Sequence, residues 1–419
     1  YTPAEREKLV DVYMAEFKKI FGQYPRTVGS WFIDEHTLAY LAGRYGVIAS
    51  CNCKDQVGTD GYTLWGGYWN QAYYPSRVNS YMPAQNEKNQ IPIPVFRMLG
   101  SDPIYQYDEG LGKDRQGVIS LEPVYAGSSG GGGDAGWVKW FLDELVTEPF
   151  LAFGYTQAGQ ENSFTWEKMV RGLEIQVPLI AELARAGKVR VETLEQTGKW
   201  FRSRFPVTPA TAVVAMQDWR NEGRKTVWYN SRFYRINLLW EPEGFRIRDI
   251  HLFQEQYASP YQDKPLTSSS CTYDTLPVMD GFLWSTGTEK AGIRLVEIKP
   301  DGKRVLCPVG APEVREFNDS ELSITCPVSP EGSLDIICRE DMLHVEVKGV
   351  SASWKWGMEL TWNGDGKGPS AQAVGRGTLL FEHNGYAYHL HCETGSCEWN
   401  AGQKSGLFRS DQCSRLILN

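Results

Sequence analysis

The sequence predicts an α/β fold for its first half, a β/α barrel over residues 1–205, followed by an all-β sandwich over residues 206–419. Two patterns carry this expectation. Up to about residue 205, segments with helical spacing alternate with short apolar runs that end in polar loops, as in a parallel sheet with helical crossovers. Past Thr208-Pro209 the segments alternate apolar and polar residues in period two, with Gly, Pro and Asn turns and almost no helix, as in a sandwich.

In chain order, Leu9, Val10, Tyr13, Met14, Phe17 and Ile20 give residues 4–21 the spacing of a helix that starts at Thr2-Pro3. Residues 27–33 read as a strand ending in Asp34-Glu35, 37–45 as a short helix closed by Gly46, and 47–53 as the next strand. Further strands are expected at 94–99, 150–155 and 189–192, with a strongly amphipathic helix at 166–186. Long loops rich in Gly, Tyr and Trp follow strand ends at 58–89 and 102–136; loops of that length in a compact domain usually carry function. In the second half, 226–229, 233–238, 245–250, 293–298, 343–347 and 386–391 alternate in period two.

Composition narrows the function. Lys plus Arg number 43 against 51 Asp plus Glu, a net charge of -8, so no basic field exists for a nucleic-acid backbone. No apolar run reaches the length of a membrane span. The chain starts Tyr1-Thr2-Pro3 without a signal peptide, which reads as a processed mature chain or a fragment. Nine cysteines, seven of them in the second half, lack paired CxxC spacing; an exported protein could oxidise some of them, and buried free thiols fit equally well.

The 15 Trp and 21 Tyr stand mostly beside Gly, Asn, Gln and Asp. Flat rings for the C–H face of a pyranose, with amides and carboxylates for its hydroxyls, suit a sugar site. A glycoside bond is cleaved between two carboxyl groups, about 5 to 5.5 Å apart for retention and about 6.5 to 9.5 Å for inversion. Acids at the ends of barrel strands are the candidates. Glu161, in Gln160-Glu161-Asn162 between an apolar run and a long helix, ranks first; Asp34 after Trp31-Phe32-Ile33 is second; Glu109 in the Asp108-Glu109 loop is third. Trp31, Trp65, Trp69 and Tyr107 are the expected platforms, Asn70, Gln71, Gln160 and Asn162 the hydroxyl partners, and Arg97 a guide for a carboxylate. Each acid also has a plain alternative as a helix cap or loop ion pair.

Other motifs carry less. Gly131-x-Gly133-x-x-Gly136 lacks the downstream ribose-binding acid of a dinucleotide site, and Gly127-x-Ser129-x-Gly131 lacks the sharp strand-to-helix turn of a nucleophile elbow. His389 and His391 share a strand face without a third ligand, so no metal or cofactor is expected.

Phe21-Gly22-x-x-Pro25-x-x-x-Gly29-x-Trp31-x-x-Asp34, the helix end at 41–46 with Val47, and Val191-Glu192-Thr193-Leu194 with Trp200-Phe201 resemble a carbohydrate-active superfamily. That superfamily joins polysaccharide deacetylases to glycoside hydrolases with an incomplete seven-stranded β/α barrel followed by a β-sandwich. The resemblance covers about the first 205 residues, and Phe96-Arg97-Met98-Leu99-Gly100-Ser101-Asp102-Pro103 resembles an uncharacterised bacterial branch. It implies a secreted or periplasmic enzyme acting on a glycan, with a first barrel strand that should precede Ala4. The deacetylase metal triad is missing from this pattern. The expected activity is therefore glycoside hydrolysis, with a polysaccharide lyase or a non-catalytic glycan-binding protein as alternatives; the oligomeric state is not indicated.

Overall fold

The computed structural model describes residues 1–419 except 54–55, 60, 127–128, 160–163, 266, 330–331, 352, 364–367, 410–412 and 418–419. Five α-helices occur among the described residues: α1 (Pro3–Phe21), α2 (Glu35–Tyr45), α3 (Ala135–Thr147), α4 (Trp166–Arg185) and α5 (Leu194–Arg204). Local chemistry sets their ends. Thr2 and Glu5 form a reciprocal capping box on α1, Asp34 caps α2 and Asp134 caps α3, while α1 and α2 stop at left-handed Gly22 and Gly46.

The expected β/α barrel is not formed, neither complete nor as seven incomplete strands. Strand takes up 35% of the chain against 20% helix, and most of it is antiparallel. Three parallel strands, Thr27–Gly29, Ala49–Asn52 and Val95–Arg97, pair in that order, and the next neighbour, Ala72–Tyr73, runs antiparallel. Two of the apolar runs expected to extend the barrel are not strands. Leu151 turns with φ 63° and makes a single antiparallel bridge to Thr211, while Phe153 packs on Phe96 and Phe201. In the 189–192 run Val191 is 68% exposed, whereas a parallel barrel strand must be apolar on both faces.

The faces a barrel would close are covered otherwise. Along Val95–Arg97, Val95 points into the core shared with the large sheet of the second half, and Phe96 points the opposite way onto Phe153 and Phe201 of α5.

Beyond α5, regular structure among the described residues is strand apart from one 3-10 turn at Ala401–Gln403. A ten-stranded antiparallel sheet includes Thr211–Ala215, Lys225–Asn230, Tyr234–Glu241, Gly244–Leu252, Leu276–Asp280 and Gly292–Ile298, and an eight-stranded antiparallel sheet begins at Glu313–Asn318. The six segments expected from period-two alternation coincide with strands, except that Phe233 precedes the strand that begins at Tyr234. The two sheets share one apolar core, in which Ile236 and Leu238 meet Leu322, Ile324, Leu334 and Ile336. Glu321–Pro327, Ser333–Arg339 and Met342–Lys348 alternate buried with half-buried residues, the signature of one face inward. By contrast Tyr234–Glu241 is buried along its whole length, because loops from the first half cover its other face.

Candidate active site

A cleft of about 230 Å³ opens at the C-terminal ends of the three parallel strands. Ligands bind at this edge in open α/β sheets, because the chain there leaves the ladder and frees side chains and backbone groups. Trp31 follows the first strand, Cys53 the second, and Arg97, Met98 and Leu99 end the third; Gln56, Thr59, Tyr62, Val118, Ser120, Glu122, Tyr125 and Phe164 complete the walls. Trp31 stays 39% exposed and stacks on Tyr62 with centroids 5.6 Å apart.

The carboxylate in this wall, Glu122, is held by a braced loop. Leu121 N–H donates to Gly100 O at 2.9 Å and Asp102 N–H to Ile119 O at 3.0 Å, so 119–121 runs antiparallel beside 100–102. Gly132 N–H donates to Ser120 O and Gly133 N–H to Tyr125 O. From α4, Gln176 Nε2 donates to Leu121 O at 2.8 Å and Gly132 O at 2.7 Å, and Gly172 one turn earlier lets Pro123 approach the helix backbone. A Cβ at Gly132 would collide with Leu121 O, so the glycine patch serves close packing around the loop that presents Ser120, Glu122 and Tyr125.

Around the floor, Arg97 is buried, with its guanidinium donating to Ser101 Oγ at 2.8 Å and to Met98 O. Asn52, opposite Arg97 in the ladder, keeps its buried Oδ1 unpartnered. Leu99 and Asn70 take left-handed φ of 54° and 53°, strain that clusters at sites where neighbouring structure holds it. Asn70 bridges to Ser101 through both its amide atoms.

Of the residues expected at the site, Trp31 and Arg97 come together in this cleft. Gln160, Glu161 and Asn162 lie outside the described residues. Asp34 caps α2, accepting from Thr37 N at 3.0 Å and Thr37 Oγ1 at 2.7 Å, and it pairs with Arg6 at 3.3 Å, so its oxygens are engaged. Its neighbour Glu35 is buried, and burial lifts its carboxyl to about 7. Glu109 is half-buried in a turn beside Gly117 and does not reach the cleft. Asn70 and Gln71 line a narrow apolar crevice behind it, with Trp140, Phe141, Glu144 and Tyr155.

Trp65, Trp69 and Tyr107 sit in a sealed layer between the first-half loops and the polar face of the ten-stranded sheet. Trp69 lies flat on Trp228, centroids 3.8 Å apart, and Arg235 stands near the rings of Trp65, Trp69 and Trp228. Arg235 binds Asp249 in a fork at 2.8 Å, and Asp249 accepts from Tyr107 Oη at 2.8 Å. Trp65 Nε1 donates to Asp280 at 2.7 Å; Arg246 pairs with Glu241 and Asp108 at 3.0 and 3.1 Å; Arg248 meets Asp108 at 3.3 Å. Burial alone would raise the Glu241 carboxyl, but Arg246 and Lys290 bring it down to about 2.

Sequence reasoning missed Glu122, Tyr62, Tyr125, Gln56 and Phe164. All five fall in or beside loops without periodicity, and only the short Val118-Ile119 run before Glu122-Pro123 hinted at an ordered segment. Among the described residues, no group of three or more His, Cys, Asp or Glu is placed to hold a metal ion, and no helix is long and apolar enough to cross a membrane.

The fold is similar to that of a crystal structure from Parabacteroides distasonis provisionally described as a glycoside hydrolase/deacetylase, with a TM-score of 0.54 and 16% sequence identity over 66% of this chain and 68% of that one. At that identity the likeness concerns the fold. Residues 1–205 alone are too few to hold a match of this extent, so it takes in part of the sheet region. No known family profile and no curated protein matches the chain.

Proposed function

We propose that this protein is a carbohydrate-processing enzyme, a glycoside hydrolase whose substrate binds in the cleft at the ends of the parallel strands. The observation that carries the reading is Glu122, a buried carboxylate braced in the same cleft as the exposed ring of Trp31, the Tyr62 and Tyr125 rings and the Arg97 guanidinium. Aromatic faces beside a carboxylate and an amide, Gln56, are the functional groups a pyranose needs. The similarity to a structure described as a glycoside hydrolase/deacetylase supports the same chemistry. In this reading Glu122 acts as one of the two carboxyl groups, and Trp31 stacks on the sugar ring.

The test is release of reducing ends across neutral, amino and acidic polysaccharides, with wild type and Glu122→Gln. Loss of a positioned acid or base lowers kcat by about 10² to 10⁴, with the fold intact by circular dichroism. Activity retained in Glu122→Gln moves the acid elsewhere, and Glu161→Gln and Asp34→Asn in the same assay then rank the acids expected from the sequence. No release from any substrate, with binding retained, makes the protein a glycan-binding module.

Arg97 in one cleft with Tyr62 and Tyr125 favours a second reading, a lyase that neutralises a uronate and abstracts its proton. Its product carries an unsaturated sugar and absorbs in the ultraviolet, which hydrolysis products do not.

A further inference from the structure

The chain crosses several times between the two large sheets, and one of these crossings is a tight turn. Tyr386–Thr394 belongs to the eight-stranded sheet and Ser396–Asn400 to the ten-stranded sheet, with Gly395 between them at φ 114°. A cysteine stands on each side, Cys392 in the first sheet and Cys397 in the second.

Backbone and side chains bring these two residues together. Cys392 N–H donates to Gly377 O at 2.7 Å and Cys397 N–H to Arg376 O at 2.8 Å, so both are pinned to consecutive carbonyls of one segment. The Cys392 thiol folds under the turn and donates to Thr394 O at 3.0 Å, at a register shift in its strand. Both residues are buried in the common core, and the two thiols interact directly.

The other described cysteines are placed differently. Cys51 lies on the strand Ala49–Asn52 and Cys53 just past its end, against Met98; Cys326 and Cys338 are on neighbouring strands, opposite Leu334 and Leu322.

We propose that Cys392 and Cys397 form a disulfide that fastens the corner between the two sheets. The two thiols lose two protons and two electrons as the S–S bond forms. The acceptor is the disulfide of an exchange oxidant, a protein dithiol oxidase or oxidised glutathione, which leaves as two thiols. Because both sulfurs are buried once the corner closes, exchange takes place during folding, and the finished bond is shielded from reductants. Such a bond belongs to folding in an oxidising compartment, as the expected export requires.

The sequence offers a clean test, because tryptic cleavage after Arg376 and Lys404 releases residues 377–404 as one peptide whose only cysteines are Cys392 and Cys397. The full chain is refolded in an oxidising glutathione mixture, denatured, alkylated and mapped by mass spectrometry. The expected 377–404 peptide lacks two hydrogens, takes no alkyl group and takes two after dithiothreitol. Cys392→Ser should leave Cys397 alkylated and lower the thermal midpoint; should that variant fail to fold, the wild-type map still decides. Two alkyl groups on the peptide without reduction overturn the proposal, as does its recovery joined to the 410–415 peptide that carries Cys413.

Discussion

Two regions of this molecule are built from the same materials and do opposite things. The cleft at the strand ends and the sealed layer on the ten-stranded sheet both combine Trp, Tyr, Arg and carboxylates. In the sealed layer the groups engage one another: Trp69 lies flat on Trp228, Arg235 binds Asp249 and Trp65 donates to Asp280, with Trp69 Nε1 left without an acceptor. In the cleft the Trp31 ring keeps a face open to the cavity. A sugar-like inventory therefore describes a site only where its groups border an open volume; where they are sealed against one another, the same inventory is a polar core.

The largest expected effect breaks the sealed layer. Arg235→Met removes the guanidinium that pairs with the buried Asp249, which costs about 3–5 kcal/mol. Urea denaturation at pH 7 should show it as a lower midpoint with the slope unchanged. Adding Asp249→Leu should recover part of the loss, since an apolar pair of similar volume has no charge to desolvate. Specific activity per folded molecule should stay at the wild-type value, which separates this layer from the cleft. An Arg235→Met protein that is fully stable would mean that water reaches Asp249 and that the layer is not sealed.

Next in size is a pair of buried glutamates that shift in opposite directions. Glu241, beside Arg246 and Lys290, is drawn down from 4.5 to about 2, so the stability it contributes is present above pH 4.5 and is lost as pH falls through about 2. Glu35 lies behind the strand ends and is raised by burial from 4.5 to about 7. The sign is reversed: its contribution is complete below pH 4.5 and disappears as pH rises through about 7. At roughly 1.4 kcal/mol per pKa unit this contribution is about 3 kcal/mol. Glu35→Gln should flatten the fall in thermal midpoint between pH 5 and 7 and be the more stable form at pH 8. Equal midpoints for variant and wild type at pH 8 would mean that Glu35 ionises without penalty.

These cases also show what the sequence could reveal. Repeating patterns were legible: α4 announced itself through its amphipathic spacing, and the strands from 225 to 252 through period-two alternation. Alternation reports that a strand has two unlike faces; it does not report what covers them. Arg235, Asn237, Arg246 and Arg248 form a polar face that the first-half loops close over, so Trp65, Trp69 and Tyr107 in those loops serve as a lid. The barrel was over-read for a related reason. A short apolar run such as 150–155 fits a strand or a packed irregular segment equally well, and only tertiary contacts decide. Trp31 and Arg97, singled out at strand ends, both line the cleft. Glu122 is held in place by Gln176 and Gly172 from a helix about fifty residues further on, and no local pattern encodes such a contact.

The smallest expected effect sharpens the comparison from the cleft side. Trp31 is stacked on Tyr62 with one face open, so in the proposed reading its ring contributes to binding a sugar more than to folding. Aromatic contacts of this kind contribute about 0.5–1.5 kcal/mol, which corresponds to a roughly tenfold or smaller rise in KM for Trp31→Ala. Because the ring acts on the bound sugar as a whole, kcat should change little and the thermal midpoint should stay near wild type. A loss confined to kcat would place Trp31 against the reacting bond, and a large loss of stability with KM unchanged would make it a core residue like Trp69. Trp69 offers no such separation: its ring is fully buried against Trp228, so any truncation there is read as stability alone.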